Sequence, residues 1–236
     1  LIINISSNGK NLLIAKETSL ILSIKNLLAK DMHKAKNIVF NDFESKINLK
    51  KLKNYNKIFE NKISSVPILF TEGKILLYEG VNYIATINDV KLVVKLLKDS
   101  SKAKLKGKFL DDNIIINFNN EIDDNRPKKE IEFKMKGLNF YTKLSFFDSK
   151  KIIKNGKFLI KKDNNKISGL FDYKDNQISI LKSNIRNSYI DGKILGKIIL
   201  LPFFDFNLDL NLNSINFTKI YNYFLSLDKD EQKRVF

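Results

Sequence analysis

The chain has 236 residues, 43% of them hydrophobic, which is enough apolar material to bury a core as one or two domains. It contains no cysteine and one histidine, so a disulfide frame, a thiol nucleophile, a zinc knuckle and a Ser-His-Asp triad are nearly excluded. The formal charge of +16 points toward an anionic partner, yet the lysines are scattered, and most of them are expected on a solvated face. We predict that the histidine, His33, lies at the surface.

Apolar and polar residues alternate in several runs, as is typical of strands with one apolar and one solvated side. In chain order these runs are KAKLKGKF (102–109), IIINF (114–118), EIEFKMK (130–136), KISGLFDY (166–173), YIDGKILGKIIL (189–200) and FDFNLDLNL (204–212). Short polar links separate the runs and are typical of connections between antiparallel neighbours. The sequence therefore predicts a mainly β chain, a long twisted antiparallel meander with a few short amphipathic helices.

A glycine followed by lysine and two apolar residues recurs at Gly73, Gly107, Gly156 and Gly192. None of these copies has the upstream glycine, or the Ser/Thr after lysine, that a phosphate-binding loop needs. We interpret the glycine as easing a bend or twist of the strand and the lysine as facing water.

A longer repeat pairs INLKKLKNY (47–55) with INFTKIYNY (215–223). Both copies follow a strand-like run, and Asn48 and Asn216 occupy the position of a helix N-cap. The apolar residues that follow keep helical spacing, so each copy predicts a step from a strand into a short helix.

These steps predict two β-groove repeats within one elongated array. The first covers residues 1–60 and closes in a helix, and the second covers residues 61–236 and closes in another. We expect the chain to be a fragment that is truncated at both ends.

Three segments together resemble the AsmA family of bacterial envelope proteins, whose β-sheets form long taco-like grooves related to the repeating β-groove lipid-transfer proteins. TSLILSIKNLLAKDMHKAKNIVFNDFESKINL (18–49) resembles that family's strand, short turn or helix, and second strand leading into a helix. LFTEGKILLYEGVNYIATINDVKLVVK (69–95) is similar to its Gly-Lys hairpin, and YIDGKILGKIILLPFFDFNLDLNLNSINFTKI (189–220) to its paired strands entering a helix. The resemblance covers most of the chain and implies that the meander curls into a groove.

The resemblance also implies a function. A protein of this kind would be a non-enzymatic component of a Gram-negative cell envelope, and its hydrophobic groove would shield or transfer phospholipid between the inner and outer membranes. Its expected partners are phospholipid acyl chains, one or both membranes and envelope proteins at the groove ends, with no cofactor and no metal. It would be periplasmic and tethered to the inner membrane by an N-terminal helix outside this fragment. The alternative within the same resemblance is a role in outer-membrane protein assembly.

The lining of such a groove is predicted from the alternating apolar residues. The set is Leu105, Phe109, Ile114, Ile116, Phe118, Ile131, Phe133, Ile190, Ile194, Ile198, Phe204, Phe206, Leu208, Leu210 and Leu212. Gly192 and Gly196, on the same side, would leave room for an acyl chain or relieve crowding at a bend. An ordinary sandwich, in which a second sheet covers this side, is the competing interpretation. For any one residue, packing within the protein fits the pattern as well as contact with lipid does.

Other classes of function fit the residues less well. A nucleic-acid-binding β module needs aromatic rings exposed on a basic face, whereas phenylalanine here falls mainly on the apolar side and lysine on the other. An enzyme needs convergent groups, but Asp111, Asp112, Asp123 and Asp124 lie in polar links, where adjacent acids usually form turns. Alternation is also typical of membrane-spanning strands, which the predicted helices and the absence of tryptophan fit poorly.

Overall fold

The computed structural model describes residues 2–7, 10–22, 35–51, 66–97, 100–123, 126–147, 154–199, 205–222 and 225. The chain forms two compact units, unit 1 from Leu1 to Leu138 and unit 2 from Asn139 to Phe236. The described elements are nearly all strands, so the predicted mainly β fold with little helix is confirmed. The predicted repeat boundary near residue 60 lies outside these residues, as does His33, and both stay predictions.

Unit 1 is a sheet whose strands lie in chain order. It contains β1 (Ile3–Ser7), β2 (Lys10–Leu22), β3 (Ala35–Asn48), the 3-10 turn η1 (Leu49–Lys51), β4 (Ile68–Glu79), β5 (Asn82–Leu96), β6 (Ser101–Phe109), β7 (Asp112–Asp123) and β8 (Arg126–Met135). Its neighbouring strands are antiparallel except β3 and β4, which run parallel. Because a hairpin cannot join parallel strands, the chain needs a crossover here, which spans residues 49–67. The predicted antiparallel meander is therefore interrupted at this step.

Unit 2 is an uninterrupted antiparallel meander. Its strands are β9 (Phe140–Phe147), β10 (Lys154–Lys162), β11 (Asn165–Lys174), β12 (Gln177–Arg186), β13 (Ile190–Ile199) and β14 (Asp205–Ile215). The link between β11 and β12 is the two-residue turn Asp175-Asn176, in which both residues have positive φ, 48° and 63°. Leu110-Asp111 has the same form between β6 and β7, with φ of 49° and 62°. Such turns match the twist of paired strands and set their register.

The first asparagine of each copy of the nonapeptide repeat, Asn48 or Asn216, caps the chain where it leaves a strand. Asn48 Oδ1 accepts a hydrogen bond from Lys50 N at 3.1 Å, and Asn216 Oδ1 accepts one from Lys219 N at 3.0 Å. Residues 217–222 and 225 are helical, so the predicted strand-to-helix step is confirmed for the second copy. After the first copy only η1 is described, since residues 52–65 lie outside the described part. The first copy coincides with the parallel step from β3 to β4.

Three neighbouring strands of unit 1 carry a residue of positive φ at the same level. These residues are Asp42 in β3, Glu72 in β4 and Asp89 in β5, with φ of 48°, 56° and 51°. The pairing register shifts beside Glu72 and Asp89, as it does at β-bulges. Bulges bend a strand and increase its twist. The predicted bend near the Gly-Lys signature is thus produced in β4 by the residue before Gly73.

Two of the four signature glycines, Gly73 and Gly156, lie under aromatic rings. A Cβ added to Gly73 would overlap the Phe43 ring, and one added to Gly156 would overlap the Phe171 ring. The lysine after each signature glycine is exposed, as predicted. None of the signature glycines has positive φ, so at Gly73 and Gly156 the requirement is space for the ring. A ring that covers a cross-strand glycine fills the gap left by the missing side chain.

Replacing Gly73 by alanine is expected to lower the free energy of unfolding by about 1–3 kcal/mol, because the methyl group would overlap the Phe43 ring in a packed core. Lys91→Ala is the control, since Lys91 is exposed on β5 and its loss should change stability by less than about 0.5 kcal/mol. Denaturant unfolding measures both variants. Equal losses would contradict the packing described for Gly73.

Candidate functional site

The predicted lining residues of unit 1 lie on one side of its sheet, defined here as the apolar face of unit 1. Strand pairing aligns them in rows that cross the strands from β2 to β8. One row contains Thr18, Phe40, Phe70, Leu92, Leu105, Ile116 and Phe133, and the next contains Leu20, Ile38, Ile68, Val94, Ala103, Phe118 and Ile131. Ile114, opposite Met135, lies in the row on the other side of the first one, and Phe109 packs against the same core. The register therefore places these residues on one face, while their contact with lipid stays a prediction.

The centre of this face is the core of unit 1. Ala15, Phe43 and Val90 are buried there, and Val90 is fully inaccessible. The rings of Phe40 and Phe70 stack over this region with their centroids 4.9 Å apart. Ile114 is buried as well, whereas Ile131, on β8, is exposed. For Ile114 and its neighbours, packing within the protein is thus the observed role.

The described members of the remaining predicted lining set lie on one side of unit 2, defined here as the apolar face of unit 2. Direct pairing of β13 with β14 places Ile198 opposite Phe206, and Ile194 opposite Leu210. Leu208 pairs with Gly196, and Leu212 pairs with Gly192. The same rows continue into β12 and β11 through Ile178, Ile180, Ile185, Tyr173, Phe171 and Ile167, and Ile190 lies on the same side of β13, opposite Ile215. Phe204 lies outside the described residues.

Burial on the apolar face of unit 2 falls toward β14. Phe171 on β11 and Ile185 on β12 are 4% and 6% exposed. On β14 the exposed fraction rises to 37% for Leu208, 50% for Leu210 and 60% for Phe206. The apolar side of β14 therefore continues a buried face into solvent.

The described residues show no second sheet over either face. Within each unit all strands belong to a single sheet, and the extensive contacts between described elements join strands that are neighbours in it, apart from a small contact of η1 with β4. The sandwich interpretation is therefore not met by the described strands of either unit. The apolar side chains of each unit are covered by lateral packing along their own sheet.

Gly192 and Gly196 permit close approach of the β14 backbone. A Cβ at Gly192 would lie 2.5 Å from Asn211 O, and one at Gly196 would overlap Asn207 O. Gly196 also has φ of +132°, which side-chain-bearing residues rarely adopt. Of the two roles considered from the sequence, relief of crowding is the one that these contacts support.

The carboxylates considered as possible catalytic groups serve the turns. Asp111 is the second residue of the turn between β6 and β7. Asp112 accepts hydrogen bonds from Gly137 N at 2.7 Å and Leu138 N at 3.0 Å, and these bonds lower the pKa of its carboxyl group. For Asp111 and Asp112, the predicted role in turns is confirmed, whereas Asp124 and the side chain of Asp123 lie outside the described part.

Two exposed lysines pair with the positive-φ residues Asp42 and Asp89. Lys16 Nζ lies 2.7 Å from Asp42 Oδ2, and Lys108 Nζ lies 2.9 Å from Asp89 Oδ2. Each hydrogen bond and the attraction of its carboxylate raise the pKa of the lysine. Such exposed pairs add little to stability. These two ion pairs balance charge locally beside Asp42 and Asp89 in unit 1.

Sequence reasoning missed the rings that cover glycine in unit 2. Phe146 and Phe171 meet edge to face with centroids 5.4 Å apart, and Phe158 lies beside Gly169. The motif KISGLFDY contains both Gly169 and Phe171, but the partners of these residues are on β10 and β12. The alternation in that motif indicates which residues share the apolar face. The residues that contact Gly169 and Phe171 follow only from the register of the strands.

Truncation on β14 is expected to affect stability much less than truncation on β12. Leu210→Ala should lower the free energy of unfolding by about 1 kcal/mol or less, because half of the side chain is already in solvent. Ile185→Ala on the same face should cost about 2–5 kcal/mol, since it leaves a cavity. Denaturant unfolding compares the two variants. Similar losses would mean that the apolar side of β14 is covered in solution.

Comparison with known proteins leaves the identity open. No family model, no curated protein and no solved structure matches the chain. In the described part of the chain, no helix has the length and apolar character that a membrane span requires. What the protein does is therefore inferred from its faces.

Proposed function

We propose that the chain is a segment of a non-enzymatic envelope protein whose apolar faces contact phospholipid acyl chains, as the resemblance to the AsmA family implies. The supporting observation is the side of β14 on which Leu208 and Leu210 are exposed while the same face is buried on β11 and β12. Exposed apolar patches that continue a buried face are typical of binding sites for apolar partners. Phospholipid that passes between the inner and outer membranes is such a partner.

The apolar side of β14 is long enough for an acyl chain. The strand has 11 residues, which at about 3.3 Å per residue extend for roughly 35 Å. The hydrocarbon core of a bilayer is about 30 Å thick, so the chains of one leaflet occupy about half of that thickness. A whole acyl chain could therefore lie alongside β14.

Hydrophobic contact would set the affinity for lipid. Burial of methylene groups contributes about 0.8 kcal/mol each, so a chain of about sixteen carbons gains on the order of 10 kcal/mol before ordering costs are subtracted. A lysine near an anionic headgroup adds only about 1 kcal/mol. The proposed affinity for lipid therefore depends on the apolar residues. The proposed location of the protein is the periplasm of a Gram-negative bacterium.

A photo-crosslinking side chain at position 208 is expected to capture phospholipid, whereas the same side chain at position 207 is not. Leu208 lies on the apolar side of β14, and its neighbour Asn207 lies on the opposite side of the same strand. Both positions are exposed, so they are matched in accessibility. Mass spectrometry of the adducts after irradiation in the presence of phospholipid vesicles identifies the captured molecule.

Equal capture at the two positions would contradict the proposal, and so would capture at neither. In either case the apolar side of β14 would not be a lipid contact. The stability of both variants is measured alongside, because β14 must stay paired with β13 for the comparison to be valid.

A further inference from the structure

A cleft of about 520 Å³ lies on unit 2. Its lining includes four lysines, contributed by β9 to β12, together with serine and asparagine side chains. The charged members are Lys143, Lys157, Lys166 and Lys182, and the polar members are Ser145, Ser168, Asn184 and Ser183, whose hydroxyl is already hydrogen-bonded to the backbone of Ile194. Aspartate and glutamate are absent from the lining of this cleft.

The strand register explains why the lysines converge. Lys157 and Lys182 are both direct partners of Leu170, one on each side of β11. Lys143 lies in the next row, which runs through Leu159 to Ser168. Strands two apart in a sheet are separated by about 10 Å, so these ammonium groups can reach one ligand of modest size.

All of these lysines lie on the side of the sheet opposite the apolar face of unit 2. Phe158, which follows Lys157, is on the apolar face, as is Phe171, which follows Leu170. The basic side is therefore separate from the proposed acyl contact. A ligand in the cleft does not compete for β14.

Lysines adjoin one another on this side of the sheet, and the acid in the neighbouring row, Asp172, accepts a hydrogen bond from Asn155. Lys166 is directly opposite Lys161 across β10 and β11, an arrangement that disfavours folding. Among the described residues, Lys161, Lys166 and Lys182 have no ion-pair partner. The next cation along the row, Arg186, is opposite Asp191, and neither of these lines the cleft. In unit 1, Lys16, Lys74 and Lys108 are paired with acids, whereas Lys91 and Lys106 are directly opposite each other.

We propose that this cleft binds the phosphate headgroups of anionic phospholipid at a membrane surface. Several ammonium groups with hydroxyl and amide donors between them suit phosphate oxygens, which accept hydrogen bonds and carry negative charge. A single-stranded nucleic acid would need rings exposed for stacking. The one aromatic residue in the lining, Phe158, lies against Gly169 on the other side of the sheet.

Vesicles of phosphatidylglycerol mixed with phosphatidylcholine are the probe, with pure phosphatidylcholine vesicles as the reference. The intact chain should cosediment with the mixed vesicles, and its binding should weaken as salt is raised. A triple variant with Lys157→Gln, Lys166→Gln and Lys182→Gln should bind the mixed vesicles about 100-fold more weakly. Each lysine is expected to contribute about fivefold to the affinity, and the three factors multiply. Because the change removes mutual repulsion, thermal unfolding should show no loss of stability.

The control is a variant with the same change of net charge in unit 1. Lys95→Gln, Lys104→Gln and Lys106→Gln remove three exposed lysines of β5 and β6, none of which lines the cleft. This variant should retain binding within about threefold. Equal losses in the two triple variants would overturn the proposal, because net charge alone would then explain binding.

Two further results would overturn it. One is equal binding to mixed and pure phosphatidylcholine vesicles. The other is tighter binding of an oligonucleotide, or of inorganic pyrophosphate, than of the mixed vesicles, provided that this binding is lost in the first triple variant. Crosslinking at position 208 reads out the acyl contact separately, so failure of either proposal is distinguishable from failure of the other.

Discussion

Strand register is the constraint on which the rest of this structure depends. Alternate residues of a strand share a side, so the apolar faces form only where each strand pairs with its neighbour in phase. Leu105, Ile116 and Phe133 meet because β6, β7 and β8 are in phase, and a slip of one residue would turn one of these side chains to solvent. Tight turns such as Leu110-Asp111 and rings that cover glycine, such as Phe43 on Gly73, hold the phase.

Each unit is a sheet with one apolar side, and the two apolar sides differ in how far they are buried. In unit 1 the positive-φ residues Asp42, Glu72 and Asp89 lie at one level, and the residues beside them form a buried centre around Val90. In unit 2 the face is buried around Phe171 but open at β14. Since the described strands form no second layer, burial depends on how many apolar neighbours a residue has within its own sheet. Edge positions are therefore where an external apolar partner gains most.

Alternation also keeps apolar and basic surfaces apart. Because neighbouring residues of a strand point to opposite sides, Lys157 and Phe158 meet different surroundings although they are adjacent in sequence. An acyl chain and a phosphate group differ in the same way, one favouring apolar contact and the other cations. The two proposals for unit 2 use this separation, with the acyl contact at β14 and the headgroup contact at the cleft of β9 to β12.

The sequence by itself determined the strands β6, β7, β8, β11, β13 and β14, their apolar sides and the capping by Asn48 and Asn216, because period-two alternation and side-chain capping are local properties. It did not reveal the parallel pairing of β3 with β4, the ring of Phe171 over Gly156, or the convergence of Lys157 and Lys182. Each of these depends on which distant residues become neighbours, and only the tertiary structure decides that. The same reason applies to burial, since Ile114 and Leu210 belong to similar alternating patterns, yet Ile114 lies on an inner strand of unit 1 and Leu210 on the last described strand of unit 2.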